Sequence, residues 1–178
     1  MNMIKTASIL CICCLFTSCR QYDMYEYKHN PTHEIRSSIM YSGGKKAEGL
    51  DSQTLTFIPN FREFTQAFSS QSSKIYAVSP NKDETFYLQK AILRVPGKNI
   101  RTVLRIDETI SMEHTLGKTG YYLTYIMLFS SFNTEYEQYL SEPKITLEIY
   151  YSHEEGIAVD RQIFEMDLIK YRAIAWPT

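Results

Sequence analysis

Ile145, Leu147, Ile149 and Tyr151 alternate with Lys144, Thr146, Glu148 and Tyr150. A period of two predicts a strand over 144–151 with one face buried and the other wet. The same rhythm puts Ile100, Thr102, Leu104 and Ile106 on one side of a strand over 100–107, with Arg101, Val103 and Arg105 on the other. That strand follows an apolar run at 85–95 through "PGKN", a four-residue turn containing Gly97. Residues 54–58 and 74–79 read as shorter strands. The run "GYYLTYIMLFSSF", 120–132, is apolar on both sides, which predicts a central strand covered on both faces. A long last strand spans 158–176. There Phe164, Met166 and Leu168 alternate with Glu165 and Asp167, and the phase slips at Leu168–Ile169, as a β-bulge would make it.

Two stretches change period. Phe61, Phe64 and Phe68 share one helical face, with Asn60 placed to cap the first turn and Glu63 following it, so a helix is predicted over 60–69. Tyr136, Tyr139 and Leu140 repeat that spacing over 133–140, with Thr134 and Glu137 as a second cap pair and Pro143 beyond. About seven strands with one or two short helices predict a mainly-β chain, an antiparallel β-sandwich of transthyretin-like or immunoglobulin-like kind.

The first fifty residues are patterned differently. Lys5 precedes an apolar run from Ala7 to Phe16, the length of a secretory signal core and well short of the ~20 residues of a membrane span. Thr17, Ser18 and Cys19 close it. Residues 20 to about 50 are polar with interspersed Tyr, carry Pro31 and contain the Gly-rich "YSGGKKAEG" at 41–49. They read as a tether, with "IRSSIMY", 35–41, as a first strand inside it. The organisation expected is a signal segment at 1–18, a tether at 19–50 and a sandwich domain at 51–178.

"FTSC" resembles the lipobox of bacterial lipoproteins, with Phe16 where Leu is usual. The resemblance implies cleavage between Ser18 and Cys19, a thioether-linked diacylglycerol on the Cys19 sulfur and an acylated amine, with no other cofactor. Two or three acyl chains suffice for stable membrane anchoring. Cysteine usage agrees: Cys11, Cys13, Cys14 and Cys19 are all there are, so the body from Arg20 onward has no disulfide to form. Arg20, not Asp, follows Cys19, so the inner-membrane retention signal of some bacteria is missing. Asp23 and Glu26 are the only acids near the new N-terminus, fewer than surface-export signals carry, so an outer-membrane protein facing the periplasm is expected, with the cell surface as the alternative.

Charge narrows the partners. Without the leader the chain carries 18 basic and 20 acidic side chains. No cationic excess is present to drive nucleic-acid binding. Fourteen Tyr and nine Phe suit half-exposed strand faces and contact surfaces. The leader and Tyr-rich body resemble Bacteroidetes lipoproteins. The strand–helix–strand order is similar to that of small sandwich lipoproteins in the envelope complex of type VI secretion systems. That resemblance implies a non-enzymatic assembly subunit that docks other envelope proteins.

Candidate chemistry is sparse. His29 and His33 are four apart but flank Pro31; His153, Glu154 and Glu155 crowd a hairpin tip; His114 stands beside Glu113. None of these is assigned a metal. "GKTG" at 117–120 lacks the upstream Gly of a phosphate-binding loop, Met112 standing there, and precedes a strand instead of a helix, so it reads as a turn. No nucleophile elbow is present, and no one pair of the many carboxylates is singled out for glycoside cleavage. The surface candidates are Tyr136, Tyr139, Tyr150 and Tyr151, for a partner or for a glycan or peptide. A pilin-like or adhesin role, giving or taking a strand, would need an unpaired edge such as 160–174.

Overall fold

A computed structural model describes residues 20–41, 50, 55–64, 72–117, 119–129, 138–139, 142–155 and 157–175. The expected leader, the Ser18–Cys19 junction and Tyr136 lie outside them. The strands are β1 (Arg20–Lys28), β2 (Thr56–Phe64), β3 (Ser72–Ser79), β4 (Thr85–Arg94), β5 (Arg101–Ser111), β6 (His114–Thr115), β7 (Tyr122–Phe129), β8 (Lys144–Ser152) and β9 (Asp160–Ala175). Among the described residues one helix, α1, spans Asn30–Tyr41, so 35–41 is helix and not the expected first strand. All strands lie in one sheet of order β5-β4-β8-β9-β1-β2-β3-β7-β6, and every pairing is antiparallel. The mainly-β, sandwich-like expectation holds: the sheet curls so that β5 and β7, far apart in its order, approach each other.

The inner face encloses one apolar core. Phe57, Phe61, Ile75, Phe86, Leu88, Leu93, Leu147, Ile149, Phe164 and Met166 meet there from five strands. The predicted inward sets of 100–107 and 144–151 are the ones found, with Leu104 and Ile106 packed on the core from the rim. Tyr27 and Tyr139 are buried with them. The Tyr27 hydroxyl donates to the carbonyls of Tyr139 and Glu142, and the Tyr139 hydroxyl donates to the Leu93 carbonyl at 3.1 Å. These bonds satisfy two phenols deep in an apolar interior.

Residues 20–41 are part of this body, which corrects the tether over that stretch, while 42–49 lie outside the described residues. β1 lies between β9 and β2 and pairs along nine positions with β9. Its short alternation sends Tyr27 inward and Met24 and Glu26 outward, and both sides are covered. Outside, α1 lies over β2 and β3 on a second small core of Ile35, Ile58, Val78 and Leu116. Pro31 falls in the first turn of α1, where a missing N–H costs no helical hydrogen bond. The helix is fastened by charge. Arg36 is ion-paired with Glu26 and bonds Asn60 and His33; Arg62 is 3.8 Å from Glu26, and Tyr171 donates to Glu26 at 3.3 Å.

Three other expectations change. Residues 60–64 are strand, not helix; Phe61 faces the core opposite Ser73, and 65–69 lie outside the described residues. Pro59 is inside β2, at a level that the β1 ladder does not reach, so the missing donor breaks no pairing there. Of the helix at 133–140 only Gln138 and Tyr139 are described, and they form a turn. β7 lies next to the end of the sheet with one wet face, since Tyr125 and Met127 are 49% and 51% exposed. β9 shows no register shift at Leu168–Ile169. The phase slip marks the point where apolar side chains stop facing the inner core and start facing outward beside Glu26 and α1. The bulges occur instead at Ser73–Lys74 and Leu88–Lys90.

Candidate binding face

The outer faces of β5, β4, β8 and β9 form a platform whose content follows from register. Three rows cross it: Arg101–Arg94–Thr146–Glu165, Val103–Ile92–Glu148–Ile163 and Arg105–Lys90–Tyr150–Arg161. Side chains directly opposite across a ladder are neighbours, so five cations surround two carboxylates. Val103 and Ile163 stand proud at the two sides, each 45% exposed.

Glu148 organises the centre. Its side chain is almost wholly covered; it accepts hydrogen bonds from Arg161 Nε at 3.1 Å and the Tyr150 hydroxyl at 2.9 Å, and it is ion-paired with Arg161 Nη2 at 2.9 Å and Arg94 Nε at 2.8 Å. Burial pushes its pKa up, but the Tyr150 hydrogen bond and the Arg161 and Arg94 charges outweigh it and hold the group below the ordinary value of 4.5. The same bond, aided by burial, raises the Tyr150 phenol above 10.0. Lys90 Nζ lies 4.5 Å from the Tyr150 ring centroid and Arg161 Cζ 5.9 Å, so the ring is gripped by two cations. The arginines remain about half exposed at their tips. The result is a pre-set Tyr–Arg surface, the residue types that dominate binding energy at protein interfaces.

The four tyrosines do not share a surface. Tyr150 is on this platform. Tyr139 is inside the core, which removes it from any contact surface. Tyr151 points the opposite way from Tyr150 and packs edge-on against Phe57 with centroids 4.8 Å apart. Sequence reasoning found the outward sets Arg101, Val103, Arg105 and Thr146, Glu148, Tyr150 but not that β4 joins them, because the lateral order β5-β4-β8-β9 is written in no local pattern.

The histidines are separated. His29 packs edge-on against Phe164 and bonds Thr32, while His33 bonds Arg36. Burial lowers both pKa values, with Lys28 and Arg62 adding to the effect at His33. His114 stacks on Tyr125, and His153 lies 3.6 Å from Glu84. Among the described residues no group of three His, Cys, Asp or Glu side chains is placed to hold a metal ion. "GKTG" lies between β6 and β7, where the Leu116 amide donates to the Tyr121 carbonyl at 2.8 Å, so it connects two strands as expected. The long final strand is not an edge: β9 is paired on both sides.

No described helix is long and apolar enough to cross a membrane. No family model, curated protein or solved structure matches the chain.

Proposed function

We propose that this chain is a bacterial lipoprotein, acylated on Cys19, whose β domain serves as a non-enzymatic docking subunit for another envelope protein. The lipobox-like "FTSC" supports the anchor, and Arg20 after Cys19 with only Asp23 and Glu26 as nearby acids supports an outer-membrane, periplasm-facing address. The observation that carries the docking role is the Glu148-centred platform. A covered carboxylate fixes Tyr150, Arg94 and Arg161 before any partner arrives, which lowers the ordering cost of association. Exposed Val103 and Ile163 flank the polar centre with apolar area.

A glycan-binding role draws less support, since two of the four tyrosines offered for stacking are turned inward or sealed in the core. The test is purification of the full chain from native membranes in mild detergent. The wild type retains a stoichiometric envelope partner, and a paired Arg101→Glu, Val103→Glu variant, changed at two exposed platform positions, loses it by at least tenfold with its thermal transition kept. Recovery of the wild-type lipoprotein alone contradicts the proposal.

A further inference from the structure

β5 and β7 bound a gap in the wall of the curled sheet. Each offers an edge. Among the described residues β5 ends the sheet order and pairs only with β4, while β7 pairs with β3 along its length and with β6 only at Tyr122 and Leu123. The Glu113 amide still donates to the Leu123 carbonyl, and beyond it the two arms part. Between them lies a cleft of about 570 Å³, lined by Arg105–Ile106 and Glu108–Ser111 on one side, Glu113 at its end, and Thr124–Met127 on the other.

Register gives each side chain its place. Glu108 stands opposite Leu88, and Ile110 opposite Phe86; Thr124 stands opposite Ala77, and Ile126 opposite Ile75. The four opposing residues are fully buried, so Glu108, Ile110, Thr124 and Ile126 face inward. Ile106 and Ile110 pack on the core yet stay partly open to the cleft. Glu108 is an inward-facing carboxylate that remains exposed and takes part in no salt bridge among the described residues. Tyr125 and Met127 stand on the outer lip.

We propose that this gap receives an extended segment of a different protein, which pairs with β5 and β7 at once and closes the sheet. Backbone groups of both edges supply the hydrogen bonds, as in strand addition generally. The chemistry of the segment follows from the wall. Alternate side chains are apolar, to cover Ile106, Ile110 and Ile126, and one inward side chain is Lys or Arg, to meet Glu108. A second copy of this chain fits less well: its free edge belongs to a folded sheet, and a slot walled on both sides admits a lone strand. Asp107, at φ +49° in the bulge beside Glu108, interrupts the β5 edge and limits indiscriminate pairing. This inference rests on the docking role and adds the mode of docking, apart from the platform.

The test places a benzophenone amino acid at Thr109 or at Tyr125, one exposed position on each arm, in the full chain in its native host. Asp83, in the exposed β3–β4 turn, is the control site. Irradiation and peptide mapping are expected to join both arms, but not Asp83, to the same short segment of one other protein. That segment alternates apolar residues and includes a Lys or Arg. Glu108→Arg lowers both crosslinks at least fivefold, and Glu108→Gln lowers them less. A partner that co-purifies but crosslinks to neither arm overturns the strand-entry inference and leaves the docking role standing. Loss of both partner and crosslinks overturns the two together. Crosslinks within the chain, to a second copy, or to a segment without the pattern overturn this inference.

Discussion

Glu26→Gln is expected to destabilise the fold heavily, and the structure gives the size. Arg36 is 2% exposed and Glu26 6%, so the pair is sealed under α1. Removing the carboxylate charge leaves a guanidinium buried without its counter-ion, a change that costs about 3–5 kcal/mol at sites of this kind. Gln keeps the shape and still accepts from Tyr171, and Arg62 has some access to water, so the lower end, about 3 kcal/mol, applies. With a urea m-value of about 2 kcal/mol/M, the unfolding midpoint falls by about 1.5 M. The assay is equilibrium urea unfolding of the chain from Arg20 onward, followed by tyrosine fluorescence and circular dichroism. Pairing Glu26→Gln with Arg36→Met removes both charges and is expected to recover most of the loss, to within about 1 kcal/mol of wild type. A single-variant cost under about 1 kcal/mol, or a double variant no better than the single, would refute the reasoning. The result bears on organisation too, since residues of a loose tether would show no such effect.

Other outcomes follow from local geometry. Gly97 has φ +75° at the third position of the Val95–Lys98 turn, closed by a 3.2 Å bond from the Lys98 amide to the Val95 carbonyl, and a methyl there would touch nothing. Gly97→Ala therefore costs about 1 kcal/mol from backbone strain alone, read from urea unfolding. Tyr27→Phe leaves the carbonyls of Tyr139 and Glu142 without their buried donor and lowers stability by about 1–3 kcal/mol, visible as a lower thermal midpoint. Acid acts in two stages. His29 and His33 have folded pKa values below 6.5, so the unfolded chain takes up protons first and stability falls as pH drops through 6.5; His29→Gln and His33→Gln flatten that slope in pH-resolved unfolding. Glu148, held below 4.5, adds stability that is present above 4.5 and lost as pH falls through its folded value.

Period-two alternation made β5 and β8 legible because each has one buried and one wet face, the condition under which that signal arises. It failed at β1, where "DMYEY" is covered on both sides, outside by a charged helix, and so looked polar. It failed at β2 because Phe61 and Phe64 satisfy a helical spacing while tertiary pairing with β1 and β3 decides the conformation. The slip at Leu168–Ile169 was real, but its cause was a change in which face of the sheet is covered. Of the candidate surface, Tyr150 could be found from its wet-face position, whereas Tyr139 could not be excluded without its long-range bonds to Leu93 and Thr102. The gap between β5 and β7 depends on strand order alone.

β1 begins at Arg20, directly after the proposed acylation site, so an anchor at Cys19 would moor the sheet beside the membrane without a spacer. Intact-mass spectrometry of the chain extracted from native membranes tests that mooring most directly. The account predicts a chain that starts at Cys19 and carries the added mass of a diacylglycerol and an N-acyl group. A chain that retains Met1, or one that starts elsewhere with an unmodified Cys19 thiol, would contradict it.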